Sequence, residues 1–479
     1  MRAGPIATLV APALLLVALA LLFLPMAALA APRPNVVLIM VDDLGWPDVS
    51  TYGLRRVATP NLDRIAAQGV AFSNAYVAGP VCAVSRAGLL TGRSPQRFGF
   101  EYNLDDVHNF EDGLPVDQPT IADRLRGLGY HTGLVGKWHQ GYTAPYYPIR
   151  RGFDEFFGFL AGETIYVDPA TPGMVTTPTK ADRPIGARKP QQEIVEGPDG
   201  RVVRNFDKYL TGELTDRAVQ YIDANSKAQT PFFLYLAYNA PHWPMQVPKA
   251  YYDRFSDIQD PVRRTYVAMI AAMDDGVGRV LDALQRDGVA KDTLVIFLSD
   301  NGCPIQFGFC DCGHPLGAGK FTQLEGGVRV PFMMSWPGAI KPAGIVDTPV
   351  SSLDIAPTIL KAAGAEVGPL GLDGRDLLSA GGGGRTPDER PLFWRQDPVA
   401  SVRMGRWKLW TSKDEKATRL YDLTTDPGET TDVSAQHADV VRALSGRLAQ
   451  WEAGLAKPRW PVHRVADVQV CGRVTESVY

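Results

Sequence analysis

The chain has 479 residues, of which 45% are hydrophobic and 21% are charged, and its formal net charge is −3. This composition is typical of a globular protein with one large domain and a smaller one, and it excludes a disordered or fibrous chain. The slightly acidic balance also excludes the basic surface that nucleic-acid binding would require.

The first 30 residues have the pattern of a secretory signal peptide. Arg2 precedes a long apolar run that ends in Ala28-Leu29-Ala30, an A-x-A processing site. A retained membrane anchor is the alternative, but three prolines interrupt the run and the processing site follows it. We therefore expect a mature chain that begins near Ala31, has no stable membrane span after processing and is secreted or periplasmic.

Strands and helices alternate along the rest of the chain. The apolar, β-branched run 35–41 predicts a buried strand, and Thr59 and Pro60 then begin a helix that ends before Gly69. Further helices are expected at about 119–128, 213–226 and 262–286, and further strands at 131–136, 232–238 and 293–299. This alternation predicts an α/β fold with a large, mainly parallel sheet sandwiched by helices. Apolar residues at helical spacing in the long helix indicate core packing: Tyr266, Met269, Ile270, Met273, Val277, Val280, Leu281 and Leu284.

Polar residues follow four of these strands directly, and ligands bind at the carboxyl ends of the strands in such sheets. Taken singly, each of these residues fits a turn, a satisfied histidine or a solvated charge. Their coincidence at four strand ends predicts one site, to which the strands contribute Asp42, Asp43, Lys137, His139, His242, Asp300 and Asn301.

The three aspartates predict a bound cation. If they converge at about 4 Å, their mutual repulsion is on the order of 10 kcal/mol at an effective dielectric constant near 20. Carboxylates and the amide of Asn301 offer only oxygen, which favours Ca²⁺, or alternatively Mg²⁺, over zinc. A protonated carboxylate cluster is the alternative, and it would have to persist near neutral pH.

Cys82 lies at the predicted start of a helix in the segment VCAVSRAGLLTGR, four residues before Arg86. A thiol beside a helix N-terminus tends to have a lowered pKa and to meet anions, so Cys82 is placed like a nucleophile. The alternative is a small buried residue that begins a core helix.

Four cysteines remain when Cys82 is set aside. Export to an oxidising compartment favours disulfide bonds among them over zinc binding by the segment CDCGH, which lacks a second ligand pair at zinc-finger spacing. Three pairings are open, among Cys303, Cys310, Cys312 and Cys471.

Seven ordered segments together resemble the sulfatase family, which belongs to the alkaline-phosphatase-like superfamily. The resemblance covers nearly the whole mature chain, in NVVLIMVDDLGWPDVSTYG, TPNLDRIAAQGVAFSNAYV, CAVSRAGLLTGR, GYHTGLVGKWHQG, APHWP, FLSDNG and GKFTQLEGGVRVPFMMSWPG. It implies a catalytic α/β domain over 31–380 and a small C-terminal domain of antiparallel sheet plus helix over 385–479. Between them, GGGG at 381–384 is the expected linker.

The resemblance also implies a mechanism. Cys82 would be oxidised after translation to formylglycine by a formylglycine-generating or equivalent maturation enzyme, and the hydrated aldehyde would be the nucleophile. The implied metal ligands are Asp42, Asp43, Cys82 in its converted form, Asp300 and Asn301. The implied catalytic residues are Cys82, Arg86, Lys137, His139, His242 and Lys320.

Each implied catalytic residue has a role. Arg86 and Lys137 would hold the formylglycine oxygens, and His139 would assist deprotonation of the hemiacetal. His242 and Lys320 would bind sulfate and protonate the departing oxygen, with Lys137 as a further substrate contact.

Two positions depart from the family pattern. Val84 replaces the proline of the C-x-P-S-R signature that the maturation machinery reads, and Cys303 replaces a second glycine after Asp-Asn-Gly. If Cys82 stays a thiol, the same residues describe a catalytically silent anion-binding protein. A phosphoester or phosphonate ester hydrolase of the same superfamily is the other alternative, although no second set of metal ligands is evident.

The substrate is expected to be a sulfated carbohydrate rather than a simple aryl sulfate. The irregular stretch at about 166–206 is expected to form loops over the site. Candidate aromatic faces for a sugar ring are the segment 98–103, Tyr146, Tyr147 and Trp243.

Overall fold

A computed structural model describes residues 33–53, 57–179, 188–204, 206–308, 310, 316–378 and 390–462. It also describes the backbone of 465–470 and 473–478 and the side chain of Val478. The predicted signal peptide and the GGGG linker lie outside these residues, so both stay predictions. Among the described residues, every helix is too short or too polar to cross a lipid bilayer.

A ten-stranded sheet dominates the fold, and its five central strands are parallel, in the order β11-β1-β9-β4-β5. Antiparallel pairing enters at both sides, through β12 and β2 on one and through β7 and β8 on the other. The predicted fold class, a mainly parallel α/β sheet, is confirmed. The strands are β1 (Asn35–Val41), β2 (Gly69–Phe72), β3 (Ala75–Tyr76), β4 (His131–Lys137), β5 (Glu155–Phe159), β6 (Met174–Thr176), β7 (Val195–Glu196), β8 (Arg201–Val202), β9 (Phe232–Ala237), β10 (Gln246–Pro248), β11 (Thr293–Ser299), β12 (Phe332–Ser335), β13 (Gly344–Val346), β14 (Val350–Ser351), β15 (Leu392–Gln396), β16 (Val399–Met404), β17 (Trp407–Ser412), β18 (Ala417–Asp422), β19 (Val465–Val470) and β20 (Arg473–Val478).

Helices cover both faces of this sheet. In β1, residues 37, 39 and 41 pack into one hydrophobic core with the helices Leu210–Asn225 and Pro261–Arg286. Residues 36, 38 and 40 pack into a second core with the helices Ile121–Gly127 and Ile355–Ala362. A strand buried on both faces needs apolar residues at every position, which explains the continuous run in the sequence. The α-helices are Pro60–Ala67, Cys82–Thr91, Ile121–Gly127, Leu210–Asn225, Lys249–Tyr252, Pro261–Arg286, Glu325–Val328, Ile355–Ala362 and Ala438–Glu452.

The C-terminal region adds a four-stranded antiparallel sheet, β15-β16-β17-β18, as expected. The helix Ala438–Glu452 packs Leu444 and Leu448 against residues of this sheet. Residues Pro34–Tyr479 form one compact unit, and the predicted boundary between 380 and 385 lies outside the described residues.

Two expectations differ from the structure. The helix predicted at about 213–226 begins three residues earlier, at Leu210. The stretch 166–206 is not only surface loop: Tyr166 and Ile194 are buried in the core, and β7 and β8 extend the main sheet. Strands of two residues leave no periodicity in a sequence, which is why this part was expected to be irregular.

One disulfide joins Cys303 to Cys310. This bond supports the expectation that the cysteines outside the active site pair. Cys312 and Cys471 lie outside the residues whose side chains are described.

Candidate active site

The predicted site residues converge at the carboxyl ends of four neighbouring strands, β11, β1, β9 and β4. All of the side chains contributed there are buried. The convergence predicted from the strand ends is therefore present, and the residues brought together are Asp42, Asp43, Lys137, His139, His242, Asp300 and Asn301, with Cys82, Arg86 and Lys320 beside them.

The loop after β1 holds Asp43 in a left-handed backbone conformation, with φ at 66°. Its amide nitrogen lies 3.3 Å from Asp300 Oδ1, and its carbonyl oxygen accepts a hydrogen bond of 2.8 Å from the Tyr266 hydroxyl. The same hydroxyl accepts a hydrogen bond from the Gly45 amide. Left-handed backbone is costly for a residue other than glycine, and such strain is common at functional sites.

Three cations balance the three buried aspartates. Arg86 donates to Asp300 Oδ2 through Nη2 at 2.7 Å and Nε at 3.0 Å. Lys320 Nζ donates to Asp43 Oδ1 at 2.6 Å, and Lys137 forms an ion pair with Asp42. These three side chains offset the repulsion among the aspartates from which a bound cation was predicted. Charge balance alone therefore does not require a metal ion.

The aspartates respond differently to this environment. Burial raises the pKa of Asp42, but Lys137, together with Arg86 and Lys320, outweighs it and holds the pKa of Asp42 below its usual range. Burial and the neighbouring charge of Asp42 raise the pKa of Asp300 to about 6, despite Arg86. At neutral pH both groups are carboxylates.

Cys82 is the first residue of the helix Cys82–Thr91, as predicted. Its Sγ lies 3.3 Å from Asp42 Oδ1 and 3.4 Å from Asn301 Oδ1, and it accepts a hydrogen bond of 3.2 Å from Lys320 Nζ. The expected lowering of its pKa is wrong for the thiol. Burial, followed by the charges of the nearby aspartates, raises the pKa of Cys82, which argues against thiolate chemistry.

The site fits a divalent cation by its donor chemistry. Asp42, Asp43, Cys82 and His242 each offer a ligand atom, and these four atoms lie within 4.8 Å of one another. Asp43 Oδ2 is buried without a hydrogen-bond partner among the described residues, and a buried carboxylate oxygen left unpaired is costly. This group includes His242, whereas the predicted set has Asp300 and Asn301 instead. Asp300 Oδ2 is held by Arg86, and Asn301 Nδ2 donates to Asp43 Oδ1 at 2.7 Å.

The two histidines differ in their hydrogen bonds. His139 Nε2 lies 2.9 Å from the Leu104 carbonyl oxygen, so that nitrogen donates and Nδ1 is left as an acceptor. Burial and Lys137 lower the pKa of His139 well below its usual value, so the ring is neutral at pH 7. His242 Nδ1 donates to the Trp243 carbonyl oxygen at 2.6 Å, and Nε2 lies 3.7 Å from Asp43 Oδ2. Burial lowers the pKa of His242 as well.

A cavity of about 510 Å³ opens over Cys82, His139, His242 and Lys320. Of the aromatic residues proposed to contact a sugar, Trp243 lines it. Tyr147 instead donates to the Gly197 carbonyl oxygen, and Phe100 packs edge-on against Trp460. The other lining residues are Asn103, Leu104, Asp105, Asp106, Tyr142, Ala161, Gly162, Glu163, Lys189, Gln192, Gln306, Phe307 and Phe321.

Sequence reasoning missed two kinds of site residue. Tyr266 was interpreted only as core, but its hydroxyl holds the backbone of the Asp43 loop. Gln306 and Phe307 carried no motif, yet both line the cavity. Their position between Cys303 and Lys320 in the chain was the available signal.

The sequence model of the Sulfatase family matches residues 34–365, more than half of the chain. The chain belongs to the sulfatase family. A second model, described as N-sulphoglucosamine sulphohydrolase, C-terminal, matches residues 319–454 of this sulfatase. Members of the family are sulfuric ester hydrolases, which confirms the resemblance found in the sequence and the enzyme class it implied.

Relatives of this sulfatase include glycan and aryl sulfatases. Mouse N-acetylgalactosamine-6-sulfatase is 33% identical over 86% of this chain and 80% of its own. Human arylsulfatase A is 33% identical over 84% of this chain and 83% of its own.

Two solved structures are similar to this sulfatase in fold. The crystal structure of Ps i-CgsB in complex with k-i-k-neocarrahexaose has a TM-score of 0.80 and 34% identity, and covers 89% of this chain and 94% of that chain. The phosphonate monoester hydrolase of Agrobacterium radiobacter has a TM-score of 0.61 at 22% identity over 88% of this chain and 96% of that chain, a likeness that shows the fold alone.

Proposed function

We propose that this sulfatase hydrolyses sulfate monoesters of carbohydrates, with a formylglycine made from Cys82 as nucleophile and a divalent cation, Ca²⁺ rather than Mg²⁺, beside it. The observation that carries the proposal is the position of Cys82. It lies in the wall of the cavity, within hydrogen-bond distance of both Asp42 and Lys320. A residue there meets an entering ester on one side and the aspartate cluster on the other.

The relatives support a carbohydrate substrate. The mouse relative is named for a sulfated amino sugar, and the structure of Ps i-CgsB holds an oligosaccharide. The cavity of about 510 Å³ is large enough for a sugar ring and combines apolar with polar lining residues.

The cation would be held by Asp42, Asp43, Asp300, Asn301 and residue 82, all of which offer oxygen once Cys82 is converted. When present, the cation and the aldehyde together supply an activated oxygen nucleophile that the thiol lacks.

The remaining side chains position the ester and move protons. Lys320 and His242 line the cavity and would bind the sulfate oxygens. The buried Lys137, which pairs with Asp42, would be a further substrate contact. Arg86 and Lys137 position Asp300 and Asp42 through their ion pairs and would hold the formylglycine oxygens. His139 Nδ1 accepts a proton during turnover. Lys320, together with His242 once its Nε2 has taken up a proton, donates one to the departing oxygen.

Maturation and location complete the proposal. Residues 1–30 act as a signal peptide, the chain is secreted or periplasmic, and a formylglycine-generating or equivalent enzyme converts Cys82. Val84 is buried in the first turn of the helix Cys82–Thr91, where proline is also tolerated. The exchange therefore bears on recognition by the maturation enzyme rather than on the fold. Residues 31–380 form the catalytic domain, and residues 385–479 the small C-terminal domain.

The phosphoester and silent alternatives make different predictions. Two-metal phosphatases need a second ligand set, and the described residues contain one cluster of potential ligands. A silent protein would bind sulfate but turn over no ester.

A substrate panel tests the proposal. The purified full chain from its native host is assayed on a sulfated amino sugar, an aryl sulfate and an aryl phosphate, with Cys82→Ala as the inactive control. We expect hydrolysis of both sulfates and little of the phosphate. Equal or faster turnover of the phosphate would contradict the proposal and support a phosphoester hydrolase. No turnover of any ester would support a catalytically silent protein.

A further inference from the structure

One residue of the cavity wall carries a buried polar atom that has no assigned task. Gln306 lines the cavity, and its Oε1 is buried without a hydrogen-bond partner among the described residues. An unpaired buried acceptor costs about 1–3 kcal/mol, which a donor on a bound molecule would recover. Because Gln306 lines the cavity while its Oε1 is closed to solvent, a turn of the amide would offer this oxygen to a hydroxyl or an amide N–H of a bound molecule.

Gln306 lies on a 3₁₀ turn, Ile305–Phe307, that is fixed to the catalytic residues on both sides. On one side, Cys303 follows Asn301 by two residues and is bonded to Cys310, so the turn lies inside a closed ring. On the other side, the Cys303 carbonyl oxygen accepts a hydrogen bond of 2.9 Å from the Lys320 amide. These connections place the turn close to Asn301 and Lys320.

Packing leaves this turn little room to move. A Cβ atom on Gly319 would lie 2.4 Å from the Cys303 carbonyl oxygen and 2.6 Å from Ile305 Cγ2. A hydrogen bond of 3.1 Å from the Gly308 amide to the Ile305 carbonyl oxygen ends the turn, with Gly308 at a φ of 72°. A rigid support of this kind is what a specific polar contact needs.

We propose that the turn Ile305–Phe307 recognises the alcohol part of the sulfate ester. Gln306 Oε1 accepts a hydrogen bond from a hydroxyl or amide N–H of the sugar, and Phe307 packs against an apolar face of the ring. The inference rests on the proposed function and adds a specificity-determining residue to it.

Deleting single hydroxyls from the substrate tests the contact. The wild type, Gln306→Leu and Gln306→Glu are assayed on 6-sulfated N-acetylgalactosamine, on its monodeoxy analogues and its N-acetyl-deleted analogue, and on an aryl sulfate without hydroxyls. Gln306→Glu keeps an acceptor, whereas Gln306→Leu removes it. Gln285→Leu, an exposed change on the helix Pro261–Arg286, is the matched control.

For the wild type and for Gln306→Glu, we expect kcat/KM on one of the analogues to be about tenfold lower than on the full sugar. For Gln306→Leu, we expect kcat/KM on the full sugar to fall about tenfold, whereas kcat/KM on the aryl sulfate should not change. This variant should also hydrolyse that analogue and the full sugar with equal kcat/KM. If Gln306→Leu discriminates among the analogues as the wild type does, the inference is overturned while the proposed function stands. If the wild type hydrolyses no sulfate ester, both fall.

Discussion

At the scale of single residues, the site depends on buried charges that are paired in a fixed pattern. Lys320 contacts both Asp43 and the Cys82 Sγ, so it touches the aspartate cluster and the nucleophile position at once. No other described cation donates a hydrogen bond to that sulfur atom.

We therefore expect Lys320→Ala to lower kcat by roughly 10²- to 10³-fold, because a preorganised positive charge at the sulfate is lost. Steady-state kinetics on an aryl sulfate measure this, and the melting temperature shows whether the variant is folded. Lys341→Ala, at an exposed position, is the matched control. A folded Lys320→Ala variant with wild-type kcat would remove Lys320 from the mechanism.

Most of this site could be predicted from sequence because its residues directly follow strands. A polar residue after a buried apolar run is visible in a chain, and adjacent parallel strands bring such residues together. Tyr266 could not be recognised as a site residue, because it lies among apolar residues at helical spacing. Such a pattern does not show that its hydroxyl donates to the Asp43 carbonyl oxygen. The compensation of Asp42, Asp43 and Asp300 by side-chain cations also needs coordinates, because Arg86 and Lys320 come from distant segments.

At the scale of elements, the end of β4 is fixed by close backbone contacts. Gly136 precedes Lys137 and has a φ of 120°. A Cβ atom there would lie 1.9 Å from the Ala237 carbonyl oxygen on β9. Alanine at this position would push apart two strands that carry site residues.

We expect Gly136→Ala to lower the free energy of unfolding by several kcal/mol or to prevent folding. Gly127→Ala is the matched control, because a Cβ atom meets nothing within 4 Å at the end of the helix Ile121–Gly127. That change is expected to be neutral or to stabilise by up to about 1 kcal/mol. Urea unfolding of both variants measures the difference, and equal stability would contradict the packing described for β4.

The C-terminal sheet is joined to the catalytic region by a buried charge cluster. Lys408 on β17 lies 3.0 Å from Glu325 Oε1 and 3.2 Å from Glu429 Oε1. Burial raises the pKa of Glu325, but Lys408 and nearby arginines outweigh it, so the net effect is a lowered pKa. Because this pKa is lower in the folded state, Glu325 stabilises the fold above its unfolded pKa of about 4.3, and that stability is lost as pH falls through the folded pKa.

Lys408→Met removes the lysine that two buried carboxylates share and leaves Glu325 with the longer contact of 3.6 Å to Arg329, so we expect a loss of about 3–5 kcal/mol at pH 7. The difference from the wild type should shrink at acidic pH, where Glu325 becomes protonated. Lys413→Met, at an exposed ion pair with Asp397, should change stability by less than about 1 kcal/mol. A pH-independent effect of Lys408→Met would contradict the electrostatic account.

At the scale of the whole molecule, alternation predicted four of the five central parallel strands, β1, β4, β9 and β11, and the helices on both faces, but not β5. It did not predict the antiparallel edges β2, β12, β7 and β8, because pairing direction depends on where the chain returns to the sheet. The C-terminal sheet and helix followed from the family resemblance rather than from periodicity.

Cation binding at the shared edge of the sheet should stabilise the entire fold, because a ligand that binds only the folded state raises its stability. We expect a chelator to lower the melting temperature of the mature protein by a few degrees and Ca²⁺ to restore it more fully than Mg²⁺. Asp43→Asn should abolish this response, whereas the exposed control Asp257→Asn should retain it. An identical melting temperature with chelator and with Ca²⁺ would argue against a structural cation.

The central claim is that position 82 carries an aldehyde-derived nucleophile rather than a thiol. Mass spectrometry of the Cys82 peptide, from protein purified out of its native host, tests this claim most directly. We expect a formylglycine at position 82 in the active fraction. An unmodified cysteine in every molecule of a preparation that hydrolyses sulfate esters would contradict it.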